Sequence, residues 1–239
     1  MTLDHNEINQ CETTPFEIMP NIKKYLFLAK KDRVDFVYNT AALEGNAMTY
    51  PEVQTLLEGI TVGGHKLSDE QQILNQNRSV QLLFEMIESG TFNLSKKVVC
   101  VLHAQVAKEE AMSWGVFRDG GVNIGGTEYY PPKSAALDEL FEEGIKELEL
   151  VKNPVRKAIS YFLFGAKNQF FYDGNKRTSR LVMNGMLLSA GYPILNIKAK
   201  DKVEFNSKMI EFYESDSLCD TLRYLVAYYV KQNRHLVEE

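Results

Sequence analysis

Gln169-Phe170-Phe171-Tyr172-Asp173-Gly174-Asn175-Lys176-Arg177-Thr178-Ser179-Arg180 is the most informative run in the chain. A helical pattern ends before it, Asp-Gly-Asn makes a tight turn, and a second helical pattern opens with two arginines. The first N–H groups of a helix lack intrahelical acceptors, and the helix dipole adds about half a positive charge there. Such a turn is shaped for a phosphate-sized anion. Arg177 and Arg180 are three apart and share one helical face near the turn, and Asn184 falls on that face too. The planar guanidinium fork suits phosphate oxygens. Asp173 stands at the lip, where a carboxylate can hold Mg²⁺ against a phosphate. The physical expectation is a nucleotide triphosphate site with a metal. A turn and two arginines alone read more often as ordinary structure, so the surrounding sequence has to carry the argument further.

Outward from this run the chain reads as helix almost throughout, because apolar positions recur at steps of three and four. The spacing predicts helices over 32–44, 49–59, 69–87, 94–110, 135–151, 154–168, 176–190, 202–214 and 218–231. Thr49-Tyr50-Pro51-Glu52 has capping-box spacing, and Ser68 is expected to cap the long helix that follows it. His103 reads as a structural residue of an ordinary helix. The segment 114–134 is the exception. It holds five glycines, two adjacent prolines and a short β-like run, Val122-Asn123-Ile124, and reads as a surface loop or small hairpin.

Composition excludes several classes. The 239 residues are 44% hydrophobic and 25% charged, which suits a globular core and not a disordered chain. The formal charge of −5 argues against general nucleic-acid binding. No apolar run reaches the ~20 residues that span a bilayer, and the polar, acidic start lacks the form of a signal peptide. Cys11, Cys100 and Cys219 are odd in number and far apart, fitting neither a disulfide scaffold nor a zinc site. The expected compartment is the reducing cytoplasm.

The central run resembles the signature of the Fic (Fido) family, His-x-Phe-x-Asp/Glu-Gly-Asn-Gly/Lys-Arg-x-x-Arg. Phe171, Asp173, Gly174, Asn175, Lys176, Arg177 and Arg180 match it in register, and the likeness continues through Asn184 to Gly191-Tyr192-Pro193. Thr40-Ala41-Ala42-Leu43-Glu44-Gly45-Asn46 resembles the family's N-terminal inhibitory motif. Gly115-x-x-Arg118 through Ile124, Gly125, Gly126 and Thr127 to Pro131-Pro132 resembles its flap. Phe205-Asn206 to Asp216 resembles, weakly, its adenine-side helix.

The resemblance implies an all-α Fic/Fido helical fold with a small β-hairpin flap. It divides the chain into an N-terminal extension (1–21), helices with the inhibitory motif (22–92), a core with flap and active-site loop (93–198) and C-terminal helices (199–239). It implies ATP and Mg²⁺ as cofactors and transfer of AMP to a hydroxyl of an unknown target protein. Asp173 would hold the metal. Gly174, Asn175, Lys176, Arg177, Arg180 and Asn184 would bind the nucleotide, and Glu44, with Thr40, would restrain it by pairing with Arg180. It further implies a bacterial protein and, because many relatives form one, a homodimer; nucleic-acid or membrane partners are not expected. The chain departs from the pattern at the base, where Gln169 replaces the histidine, so no catalytic group is intact. An amide cannot take up a proton near neutral pH. Two alternatives follow: an inactive nucleotide-binding regulator, or, because the related Doc toxins also carry a lysine at the position of Lys176, a phosphotransferase.

Overall fold

The computed structural model describes residues 1–15, 17–215 and 217–236; Asp216, the end of the C-terminal likeness, lies outside them. The helices are α1 (His5–Gln10), α2 (Ile22–Lys31), α3 (Arg33–Leu43), α4 (Tyr50–Leu57), α5 (Leu67–Glu88), α6 (Lys96–Val106), α7 (Leu137–Glu149), α8 (Pro154–Asn168), α9 (Asn175–Ser189), α10 (Lys202–Glu214) and α11 (Cys219–Asn233). The all-α fold is as expected.

The core is organised around α8. Every residue from Ala158 to Asn168 is buried, as expected of a helix apolar on all sides. It packs antiparallel to α9 and is flanked by α7, α11 and α1, while α5, α6 and α2 cover α9. Glycines set the closest approaches. A Cβ on Gly165 would lie 2.2 Å from Ser179 Oγ, and one on Gly144 would lie 2.3 Å from the Phe164 ring. Asn153 opens α8 by accepting N–H bonds from Val155 and Arg156, the usual work of an N-cap. The α8–α9 pair thus holds the connecting turn, 169–174, at one rigid end of the core.

Several expectations need correction. The flap forms no β-hairpin: no strand occurs among the described residues. Val122 and Ile124 are half-buried while Gly121, Asn123 and Gly125 are exposed, so the alternation survives. No strand pairing forms on it among the described residues, however, and the adjacent prolines supply no N–H for a ladder. Helix α6 stops at Val106, short of the expected 110, because Glu109 takes a left-handed conformation (φ 62°). Helix α5 begins at Leu67, with Lys66 and not Ser68 at its cap. Cys11 and Cys219 form a disulfide, with Cα atoms 5.8 Å apart, leaving Cys100 as the free thiol. The two cysteines are 208 residues apart in sequence, and they meet because α1 and α11 both pack on α8. Disulfides persist in oxidising surroundings, so the cysteines no longer argue for a reducing compartment. Among the described residues no helix is long and apolar enough to cross a membrane.

Candidate active site

The turn between α8 and α9 is held by its own side chains. Gln169 caps α8 in a left-handed conformation (φ 51°, ψ 62°), which costs a non-glycine residue about 1 kcal/mol. Its amide offsets this by donating to Ala166 O (2.6 Å) and accepting from Asn175 Nδ2 (2.9 Å). Asn175 also accepts from Phe171 N (2.9 Å) and donates to Phe171 O (2.8 Å). The Asn175 side chain is therefore an internal brace, and what it can offer an anion is its backbone N–H. Gly174 takes φ +71°, and a Cβ there would lie 3.1 Å from Ala107 Cβ. The residue must be small and tolerate a left-handed backbone, which explains glycine. Thr178 N returns to Gly174 O (2.8 Å), so the N–H groups of Asn175, Lys176 and Arg177 have no intrahelical acceptor.

His103 fastens this turn to the loop outside it. Its Nδ1 accepts from Gly115 N (3.0 Å), so its Nε2 carries the proton and donates to Asp173 O (3.0 Å). Its ring stacks on Phe171 at 3.6 Å. Burial pushes its pKa down to about 4, leaving it neutral, and with both nitrogens engaged it offers no base. Arg118 ties the same region from the other side. It donates to Gln169 O (2.6 Å), Gly120 O (2.6 Å) and Pro132 O (2.5 Å).

The charged groups converge on α9. Glu44 follows the last turn of α3, and the chain turns away through Gly45 at φ +97°. Asn39 accepts Ala199 N (2.8 Å) and Lys202 reaches Ala42 O (2.8 Å), fixing α3 against the 196–202 segment. A carboxylate at a helix C-terminus opposes the dipole, so Glu44 depends on partners elsewhere. It accepts from Arg180 Nη2 (2.7 Å) and pairs with Lys176 Nζ (3.1 Å). Burial alone would raise its pKa. The charges of Arg180, Lys176 and Arg177 outweigh that and hold it below the usual carboxylate range, so mild acid does not release it. Arg180 is 2% exposed, and its Nε and Nη1 are buried without a hydrogen-bond partner among the described residues. Such orphaned donors are costly unless something fills the site. The Phe205 ring of α10 lies 5.9 Å from the guanidinium. Arg177 donates to Glu110 Oε2 (2.7 Å) and Val106 O (3.3 Å). Asp173 is exposed, and its Oδ1 accepts from Gly174 N (2.5 Å). Exposed acceptor, free helical N–H groups and orphaned guanidinium donors together fit a metal-bound polyphosphate.

The structure brings Asp173, Gly174, Asn175, Lys176, Arg177, Arg180 and Glu44 together. Asn184 does not join them. It donates to Leu195 O (3.1 Å) and accepts from Leu195 N (2.8 Å), so it is a structural residue pinning the strand-like segment after α9. Thr40 is buried in α3 one turn before Glu44. In the flap, Ile124 is half-buried, Gly125 is exposed, Thr127 Oγ1 accepts from Tyr129 N (2.9 Å), and Gly126 approaches Ile210 of α10. Glu110 was not anticipated, being placed inside a helix by its spacing; His103 is structural as expected, though its partners Asp173 and Gly115 were not foreseen.

Residues 93–187 match the model of the Fic/DOC family. This segment of the chain belongs to that family. The Fic domain accounts for the flap, α6 to α8, the turn and nearly all of α9. Over 182 residues the chain is 27% identical to the protein adenylyltransferase Fic of Culex quinquefasciatus, covering 74% of this chain and 36% of that protein. It thus spans about a third of the length of the curated relatives that it matches. The structure resembles C. elegans Fic-1 (residues 134–508), with TM-score 0.77 and 16% identity over 98% of this chain and 68% of that one. It also resembles a Fic domain-containing signalling protein of Bacteroides thetaiotaomicron, with TM-score 0.73 and 19% identity over 98% and 95%. These two likenesses concern the fold.

Proposed function

We propose that this Fic domain binds ATP with Mg²⁺ in the α8–α9 cradle and is related in chemistry to protein adenylyltransferases. In this reading Glu44 restrains it, and Gln169 in the base position leaves it impaired. The observation that carries the reading is the buried Arg180 guanidinium: one nitrogen is held by Glu44 and two are without partners. A carboxylate there competes with a phosphate for the same donors.

Asp173 would hold Mg²⁺ on the phosphates, and the metal would neutralise their charge during transfer. The N–H groups at the start of α9 would seat the phosphates, with Arg177 and Arg180 gripping the outer ones. A target-protein hydroxyl would attack the α-phosphorus, the bond to pyrophosphate would break, and the hydroxyl proton would pass to water. Gln169 cannot receive it, because a carboxamide takes up no proton near neutral pH, and its amide is in any case held by Ala166 and Asn175. General-base help is worth roughly 10²–10⁴-fold, so transfer should be slow by about that factor. The same spent amide favours a second reading, a nucleotide-binding regulator without transfer. Lys176 turns to Glu44, which keeps open a changed nucleotide orientation with γ-phosphate transfer.

Incubation with ATP labelled at the α- or γ-phosphate tests these readings. Glu44→Gly should bind Mg-ATP, and adding Gln169→His should raise α-label incorporation by roughly 10²-fold or more. Incorporation of the γ-label would favour the phosphotransferase, and binding without label in either variant the regulator. No calorimetric heat with millimolar Mg-ATP after Glu44→Gly would overturn the nucleotide-binding reading.

A further inference from the structure

The two arginines of the cradle are each taken by a carboxylate from a different part of the chain. Glu44 comes from the end of α3 and holds Arg180 at 2.7 Å. Glu110 comes from the loop after α6 and holds Arg177 at 2.7 Å. Glu110 is no part of the signature, and it sits where α6 has been broken by the left-handed Glu109. With Lys176 and Asp173 included, the cradle carries three positive and three negative side chains within the pairs given. An incoming polyanion therefore meets a neutralised site on both sides, not on the Glu44 side alone.

A chain of side-chain amides joins the segment just after Glu44 to the Glu110 carboxylate. Asn46, two residues after Glu44, donates to Gln72 Oε1 (3.1 Å) and to Asp69 O (2.9 Å). Gln72 donates to Glu110 Oε2 (3.3 Å), and Asn75 donates to Glu110 Oε1 (3.0 Å) and Lys108 O (2.7 Å). Helix α5 thus straps the segment that carries Glu44 to the loop that carries Glu110. Asn75 is buried and Asn46 and Gln72 are half-buried, so the bonds that Asn75 makes are the better shielded from water.

We propose that Glu110 is a second internal phosphate mimic, withholding Arg177 as Glu44 withholds Arg180, with the α5 amides coupling the two. The proposal rests on the nucleotide-binding reading and adds to it: the cradle opens fully only when both carboxylates leave. The segment that carries Glu110 lies outside any helix, in turns that follow α6.

Calorimetry with Mg-ATP and, separately, with inorganic triphosphate tests this on the full chain. Starting from Glu44→Gly, the isosteric Glu110→Gln should tighten both ligands about tenfold, because a charged competitor becomes a neutral one. Equal gains with both ligands would place the effect on the phosphates. Gln72→Leu in the same background should tighten binding in the same direction but less, and it serves if Glu110→Gln fails a thermal-melting check. Unchanged or weakened binding in folded Glu110→Gln would overturn the proposal; weakening would mean that Glu110 orients Arg177 for the ligand. If Glu44→Gly binds Mg-ATP and Glu110→Gln adds nothing, only this proposal falls. If no variant binds either ligand, the nucleotide reading falls and takes this one with it.

Discussion

The turn at 169–175 and the loop at 114–133 are both irregular, both glycine-containing, and adjacent in space, yet they are built in opposite ways. In the turn, Gln169, Asn175 and the carbonyl of Asp173 all have partners inside the fold. Phe170 packs in a ring cluster with Phe117, Phe141 and Phe164. In the loop the deep fastenings are Phe117 and Arg118, near its root, and on either side of them Val116 and Tyr130 stand exposed. The end of the site proposed to take phosphate is therefore set in advance by the fold, which lowers the ordering cost of binding there. The outer end is fixed at its base and open above it.

The comparison breaks hardest at Arg118, where the two regions share one side chain. It serves one acceptor in the turn and two in the loop, and it is buried. Hydrogen bonds to a charged group contribute about 1.5–3 kcal/mol each and are not additive, so Arg118→Ala should cost about 4 kcal/mol in urea denaturation. Arg118→Lys should recover only part of that, because one ammonium cannot span three carbonyls that a planar fork reaches. A loss below about 1 kcal/mol for Arg118→Ala would mean that the loop is held by something else.

Those unequal constructions also explain what could be read in advance. The turn was legible because its chemistry is contiguous: Asp173, Gly174, Asn175 and the arginines lie within one run of eight residues. Glu44 was legible through its motif. Glu110 was hidden because the apolar spacing of 94–110 continues past the point where the helix stops. The break depends on Ala107 packing under Gly174 and on the left-handed Glu109, both tertiary matters. Asn184 shares a helical face with Arg180, as its spacing demands, but Leu195 meets that face first. The hairpin expectation caught the alternation in 121–125, but no strand pairing forms there among the described residues. The Cys11–Cys219 bond could not be seen at all, since nothing local marks two cysteines that meet across the core.

His103 sharpens the comparison, because it joins turn to loop and its proton binding is measurable. Its folded pKa is pushed down to about 4 by burial, against about 6.5 when unfolded. The neutral form is the folded form, so its contribution is fully present above about pH 6.5 and is lost as pH falls towards 4. By linkage the wild type should lose about 2 kcal/mol of stability between pH 7 and pH 5 from this group. His103→Leu should be less stable at pH 7, with Gly115 N and Asp173 O left unpaired, but flatter over that window. Equal slopes for the two proteins would show that the imidazole is not buried neutral between turn and loop.

The smallest expected effects separate the two regions most simply, through one methyl group added to each. Gly174→Ala forces a left-handed residue to carry a Cβ 3.1 Å from Ala107 Cβ, and should cost about 2 kcal/mol. Gly125→Ala adds the same methyl where no atom lies within 4 Å and where φ is not in the left-handed range. With no clash to pay back, the reduced freedom of the unfolded chain should leave it neutral or stabilised by about 0.5 kcal/mol. Paired urea titrations of the two variants measure the difference directly. If Gly125→Ala proves as damaging as Gly174→Ala, the outer loop is packed as tightly as the turn, and the contrast between a preset turn and an open outer loop is wrong.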